Sequence, residues 1–265
     1  MSSQDYQQRF GGLQRLYGDA GFARLAELHF CVIGIGGVGS WVVEAFARSG
    51  IGHLTLVDYD EIALSNVNRQ LHSLTGTLGQ KKIAVMKERV LQINPDCQLD
   101  LIDNFLIMDN HIQILSRGYD YVVDAIDSIK FKAAMIYYCK RNKIPLVTTG
   151  GAGGLTDVTQ LAITDLSRTH NDALAAKVRA RLRSDYGFSR NPKRRFGVDC
   201  VFSSQQPVYP KDDGSVSYEK PGIHGLSLDC SLGYGASACV TASFGFMAAS
   251  HTINKTLAKS LKKSP

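Results

Sequence analysis

The chain has 265 residues, 44% apolar and 20% charged, and 30 basic against 24 acidic side chains leave a net charge of +6. These are the values of an ordinary soluble globular protein of one or two domains with a full core. The sequence shows no internal repeat or low-complexity linker, and the modest positive excess admits an anionic partner without demanding one.

Six cysteines (Cys31, Cys97, Cys139, Cys200, Cys230 and Cys239) are scattered without a CxxC pair. No secretory leader opens the chain, so reduced thiols in the cytoplasm are expected rather than a disulfide framework.

Residues 1–28 give a polar start and a helical stretch containing "RFGGLQRLYG". Residues 29–33 read as a short strand. Residues 37–49 read as a helix, with Val38, Trp41, Val42, Ala45 and Phe46 on its apolar stripe. A strand at 53–57 follows, then a helix at 80–94 carrying Ile83, Val85, Met86 and Val90 and stopped by Pro95. Beyond it come a strand at 98–102, a helix at 110–116 and a buried strand at 119–125. A helix at 128–141 and a strand at 145–148 lead to the glycine-rich turn "GGAGG".

Strands alternating with helices predict an α/β fold, a doubly wound, mostly parallel Rossmann-like sheet with helices on both faces. After Gly154 the rhythm breaks. Residues 156–166 add strands, 171–184 form a basic helix, and 188–228 read as irregular. Residues 1–154 are therefore expected to be a nucleotide-binding core. Residues 155–265 are expected to be an extension packed on it, with a helix returning near the C-terminus, in one continuous fold.

Residues 230–254 contain no Asp, Glu, Lys or Arg and are long enough to span a bilayer. The stretch is rich in Gly, Ala, Ser and Thr, which makes its transfer into lipid weak. A buried helix packing closely through small residues is expected; membrane association through 230–254 is the alternative.

Gly34, Gly36 and Gly39 match G-x-G-x-x-G between a strand and a helix, with Gly37 an additional glycine. Such a turn lets the backbone approach phosphates and offers the unpaired N–H groups of a helix start. Asp58, nineteen residues past Gly39, stands where a carboxylate meets a ribose hydroxyl. These features identify a nucleotide without choosing between NAD and ATP.

The loop that follows carries Asn66, Asn68, Arg69 and Gln70, and Lys82 opens the next helix. Arg and Lys together offset the charge that builds on a departing phosphate. Asp127, taken as the end of the "VVDAID" strand, lies at the carboxyl edge where such sheets bind ligands, and its carboxylate suits Mg²⁺. Singly, these residues also read as turn formers, surface charges or a helix cap. Their joint order favours ATP over a nicotinamide cofactor.

The run GxGGVGS, D-x-D (Asp58 and Asp60), SNxNRQ, GQxK and the Asp127 strand end resembles the adenylating domain of the ubiquitin-activating enzyme superfamily. The resemblance implies ribose contact by Asp58, ATP contact by Asn66, Arg69, Gln70 and Lys82, magnesium at Asp127, and a homodimer. Members that activate sulfur carriers hold zinc with two CxxC pairs, which this chain lacks, so no zinc is expected. Where they carry an arginine reaching the neighbouring subunit's ATP, this chain has Gly12, with Arg15 nearby.

From "RFGGLQRLYG" through "TTGGAGG" the pattern looks most like the tRNA threonylcarbamoyladenosine dehydratase branch. That branch implies ATP-dependent ring closure on the modified adenosine beside the anticodon, and links to a cysteine desulfurase and its sulfur acceptor.

A basic stretch fits such a substrate. Lys177, Arg179, Arg181, Arg183, Arg190, Lys193, Arg194 and Arg195 face one acid, Asp185, within nineteen residues, a stripe suited to a phosphate backbone. Phe188 and Phe196 are expected to stack on unpaired bases. No enzyme thiol is required, because the carbamoyl nitrogen of the substrate is itself the nucleophile; Cys200 and Cys230 have no base identifiable beside them. Two alternatives stay open: adenylation of a ubiquitin-like sulfur-carrier protein, and a docking protein that relays sulfur from a desulfurase.

Overall fold

A computed structural model describes residues 3–107, 109–211, 213–219 and 235–261. Cys230 lies outside the described residues, as does the 230–234 part of the apolar stretch.

The chain opens with α1 (Ser3–Leu25), bent at Gly18. It continues through β1 (His29–Ile33), α2 (Gly39–Arg48), β2 (His53–Val57), α3 (Lys82–Ile93), β3 (Gln98–Ile102) and α4 (His111–Leu115). Next come β4 (Tyr121–Asp124), α5 (Ile129–Arg141), β5 (Leu146–Thr149), β6 (Leu161–Asp165), α6 (Ala173–Asp185) and β7 (Asp199–Ser203). A two-strand ribbon of β8 (Tyr209–Pro210) and β9 (Val216–Ser217) precedes α7 (Ala238–Leu261).

Seven strands form one sheet in the order β3-β2-β1-β4-β5-β7-β6. Within this sheet, among the described residues, β6 alone runs antiparallel, against β7. The doubly wound α/β arrangement expected from the alternation is what the chain forms.

Both faces are covered, which is why the central strands β1 and β4 are buried at nearly every position, whereas the edge strand β3 stays partly exposed. Phe30 and Val32 of β1 face the layer of α1, α2, α3 and α7, while Cys31 and Ile33 face α4 and α5. A third cluster joins Ala133 and Ile136 of α5 to Val178 and Leu182 of α6 and Cys200 and Phe202 of β7.

Helix α7 lies on α2, and the small residues of the apolar stretch explain how. A Cβ on Gly245 would come within 2.7 Å of the Val38 carbonyl oxygen and of Trp41 Cβ, so the two backbones meet closely only because glycine is there. Among the described residues no helix is long and apolar enough to cross a membrane.

Two readings of the sequence need correction. The stretch 188–228 is not all irregular: β7 lies inside it, wedged between β5 and β6 with four of its five residues buried. And β4 ends at Asp124, three residues before Asp127. The Ala125 N–H still donates to the Ile33 carbonyl at 2.9 Å, but the Ile126 N–H turns back to the Asp124 carboxylate at 3.3 Å and its carbonyl to Lys132, so the chain has left the ladder before Asp127.

Candidate nucleotide and tRNA site

The strand order reverses direction at β1, flanked by β2 and β4, so the carboxyl ends of these strands open into a crevice. The turn Gly34–Gly39 fills it. Gly34 takes a positive φ of 86° and its N–H donates to the Val57 carbonyl at 2.9 Å, tying the turn to the end of β2. A Cβ on Gly39 would overlap the Gly34 oxygen and stand 2.9 Å from its carbonyl carbon, so a glycine is obligatory there. Helix α2 begins without a side-chain cap at Val38; the Ser40 N–H donates to the Gly36 carbonyl at 3.1 Å and the Trp41 N–H to the Val38 carbonyl at 3.2 Å, so the glycine turn winds directly into the positive end of the helix.

Asp58 follows β2 directly. Its carboxylate accepts the Ile35 N–H at 2.6 Å and the Asp60 N–H at 2.9 Å, which presses it against the glycine turn. Burial pushes its pKa upward, opposed by Lys82 and by the two N–H donors. A residue passed over in the sequence reading supports the same backbone: buried His72 shares a hydrogen bond of 2.7 Å between Nε2 and the Ile35 carbonyl. Burial holds its imidazole down at about 4, so it stays neutral and donates through Nε2. A lone histidine in a polar loop gives no sequence signal for that role.

Lys82 is the first residue of α3 and is only 5% exposed. Its ammonium sits 2.7 Å from Asp60 Oδ2, so Asp60 reaches the lysine rather than the turn. Arg69 lies with its Cγ and Cδ beside Gly37, and its guanidinium donates to the Ser65 carbonyl at 2.6 Å and to Asn68 Oδ1 at 3.0 Å. Its own carbonyl accepts from the Trp41 indole at 3.2 Å and the Thr241 hydroxyl at 3.1 Å, so α2 and α7 together fix its backbone.

Asn66 is buried and closes its own turn, Oδ1 accepting the Ala63 N–H at 3.1 Å. Asn68 donates to the Ala236 carbonyl at 2.8 Å. Gln70 differs: it is buried beside Gly36, and its Oε1 has no hydrogen-bond partner among the described residues. Leaving such an oxygen unsatisfied costs about 1–3 kcal/mol, which marks a place where a ligand donor fits.

Asp127 is exposed in the loop before α5 and makes no ion pair or hydrogen bond with the described residues. It is not the helix cap, a position taken by Ser128. A free carboxylate at this edge is the hard oxygen donor that magnesium takes.

Beneath it lies a buried polar group that pattern reading missed. Asp124, Lys132, Thr148 and Asp172 are all under 9% exposed. Another cluster able to gather metal-ligand atoms, His29, His53 and Asp100, lies at the opposite edge of the sheet. There the two imidazoles stack at 3.5 Å with 4° between their planes. In-plane lone pairs of parallel rings do not converge, so these two do not share an ion.

The basic stretch divides. Arg179 donates to Thr169, Arg181 pairs with Asp185 at 2.9 Å, and Arg183 lies over the Phe196 ring at 5.4 Å. Lys177, Arg190, Lys193, Arg194 and Arg195 are exposed and form no ion pair with the described residues. Phe188 and Phe196 are not stacking platforms: Phe196 is 5% exposed and packs edge-on against Phe188 in the α5–α6 core. Their alternation with arginines reflects a loop folded over its own aromatic anchors. Cys200 is fully buried and burial pushes its thiol far up, so it is no nucleophile.

A family model described as the ThiF family matches residues 8–264. The chain belongs to the ThiF family. Within that family it is 52% identical over 262 residues to a tRNA threonylcarbamoyladenosine dehydratase of Escherichia coli (strain K12), covering 98% of each chain. A protein of the same description from Haemophilus influenzae is 54% identical over 255 residues, covering 96% of this chain and 95% of the other. The crystal structure of the E. coli dehydratase in complex with ATP superposes with a TM-score of 0.88 at 49% identity and covers 100% of both chains. The fold is thus shared with that structure along the whole chain.

Proposed function

We propose that this ThiF-family chain uses ATP to remove one water from N6-threonylcarbamoyladenosine in tRNA, closing a ring on an activated carboxylate. The observation that carries this conclusion is near-full-length identity to proteins of that name, joined to the site at the carboxyl edge. There the glycine turn, Asp58, Arg69, Gln70 and Lys82 lie together.

In this reading the turn and the start of α2 receive the phosphates, Asp58 takes a ribose hydroxyl, and Gln70 Oε1 gains the donor it lacks. Lys82 and Arg69 exchange their present oxygen partners for phosphate oxygens as charge builds on the leaving group. Asp127 would hold magnesium, which supplies further neutralisation of phosphate charge when bound. The carbamoyl nitrogen then forms a C–N bond to the activated carboxyl of the same substituent, losing its proton as the bond from that carbon to the phosphate-bearing oxygen breaks. The reacting atoms are already linked, which gives a high effective molarity and leaves no task for a cysteine.

Residues 155–265 act as the tRNA-facing part. Exposed Lys177, Arg190, Lys193, Arg194 and Arg195 contact the phosphate backbone, while Arg179, Arg181 and Arg183 shape the segment that presents them. A cytoplasmic homodimer, and contact with a cysteine desulfurase and its sulfur acceptor, complete the proposal on the strength of the family resemblance. Light scattering and pull-down with the purified desulfurase test those parts.

The deciding experiment is mass spectrometry of nucleosides from tRNA incubated with protein and ATP. Loss of one water from threonylcarbamoyladenosine, dependent on ATP, is expected. An unchanged nucleoside, together with an acyl-adenylate on a sulfur carrier, would overturn the proposal.

A further inference from the structure

Lys132 is a lysine where a sheet-covering helix ordinarily places an apolar residue. It lies in the first turn of α5, 2% exposed, and its ammonium has two partners on the preceding strand and loop. One is Asp124 Oδ1 at 2.9 Å, the other the Ile126 carbonyl at 2.8 Å. Asp124 is itself fully buried, held by the Thr148 hydroxyl at 2.6 Å and by the Ile126 N–H at 3.3 Å.

A buried ion pair of this kind is a poor source of stability, because desolvation consumes what attraction returns. Its geometric effect is large. Both backbone polar groups of Ile126 are clamped, the N–H by Asp124 and the carbonyl by Lys132.

The clamped segment touches both sides of the candidate site. A Cβ on Gly34 would meet Ile126 Cγ2 at 2.9 Å and the Ala125 carbonyl at 3.0 Å, so this segment forms the wall against which the glycine turn folds. The next residue is Asp127. On the far side, Asp172 accepts the Gly151 N–H at 3.0 Å and caps α6 through the Ala175 N–H at 2.8 Å; its carboxylate also feels the Lys132 charge. The loops after β4 and β5 and the start of the basic helix α6 are thereby referred to one ammonium group.

We propose that Lys132 is a positioning residue: by clamping the Ile126 carbonyl it fixes where the Asp127 carboxylate meets magnesium-nucleotide at the glycine turn. The proposal rests on Asp127 as the magnesium ligand, and the test separates the two. Lys132→Met alone strands the Asp124 carboxylate in the core and is prone to misfold. The paired variant Asp124→Asn with Lys132→Met removes both charges, keeps a hydrogen-bonding partner for Thr148 and deletes the clamp.

The measurement is ATP turnover on modified tRNA as a function of Mg²⁺ concentration, with binding of a fluorescent ATP analogue in EDTA and a thermal melt as companions. Asp127→Asn is run in parallel. Removing a group that orients a metal ligand weakens metal affinity by about 10- to 100-fold. Half-saturating Mg²⁺ is therefore expected to rise by that factor in the paired variant, with metal-free analogue binding within about twofold of the parent.

A purely structural role would lower the active fraction and leave the Mg²⁺ midpoint unmoved; that result, in a folded protein whose Asp127→Asn counterpart does shift, overturns the positioning role alone. An unmoved midpoint in Asp127→Asn overturns the magnesium assignment and this inference with it. If the paired variant fails to fold, Lys132→Arg replaces it. The longer guanidinium keeps the charge but displaces the loop, and the same midpoint shift is required of it.

Discussion

Substituting Gly39 by Ala puts one methyl group where the backbone of the nucleotide turn already is. The new Cβ would overlap the Gly34 oxygen and lie 2.9 Å from its carbonyl carbon, with Ala125 Cβ at 3.4 Å behind it. Neither obstacle is a flexible side chain, so the turn has to open. Overpacking of this kind costs about 1–3 kcal/mol of stability. For a chain of this size each kcal/mol lowers the melting temperature by roughly 2–4 °C. The functional loss is larger, because the Gly34 carbonyl and the α2 start move together. Relief takes roughly 1 Å of displacement, and misplacement on that scale costs about 10²-fold in rate. The assay pairs ATP-dependent water loss from the tRNA nucleoside, followed by mass spectrometry, with a melt on the same preparation. A Gly39→Ala protein that is folded and turns over within threefold of the parent would refute the assignment of this turn as the phosphate cradle.

Lys82→Ala should abolish ring closure while tRNA affinity in a filter-binding assay stays close to the parent; near-normal turnover removes the lysine from the mechanism. Replacing Arg194 and Arg195 by Ala should weaken tRNA binding and reduce the slope of log affinity against log salt by roughly 1.5. An unchanged slope discards the exposed basic loop as a phosphate contact. Because burial holds His72 at about 4, below its ordinary 6.5, the neutral imidazole contributes stability that is complete above pH 6.5 and is lost as the pH falls towards 4. Urea midpoints between pH 7.5 and 4.5 should show this decline. His72→Gln, which keeps a donor for the Ile35 carbonyl, should flatten it; equal slopes in both proteins count against the assignment.

The glycine turn, Asp58, Arg69 and Lys82 were legible because each is a local chemical sign: a glycine where no Cβ fits, a carboxylate after a strand, cations ahead of a helix. The structure brings all of them to one edge of the sheet. The alternation of apolar strands and amphipathic helices was legible for the same reason, since both periods are read within a few residues. What escaped depends on partners distant in the chain. Strand β7 is short and bounded by polar loops, and only β5 and β6 on either side make it a strand. Lys132 looks like any helix lysine until Asp124 and Ile126 are seen beneath it. Phe188 and Phe196 sit among arginines in sequence yet face the α6 core in space. In the same way, the sequence offers Asp127 as the strand end, whereas the Ile126 backbone turns to Asp124 and Lys132 and β4 closes three residues sooner.

The late insertion of β7 between β5 and β6 bears on how the molecule is made. As synthesis proceeds, β5 emerges with one flank bare, its Val147 and Thr149 still waiting for Asp199 and Val201. An open strand flank is the feature that neighbouring chains capture. The half that ends with β5 thus leaves the ribosome with an unpaired flank and gains a closed border only after Ser203 has cleared the exit tunnel. Expressing that half alone is expected to yield aggregate, and a slow ribosome between the two segments lengthens the hazard.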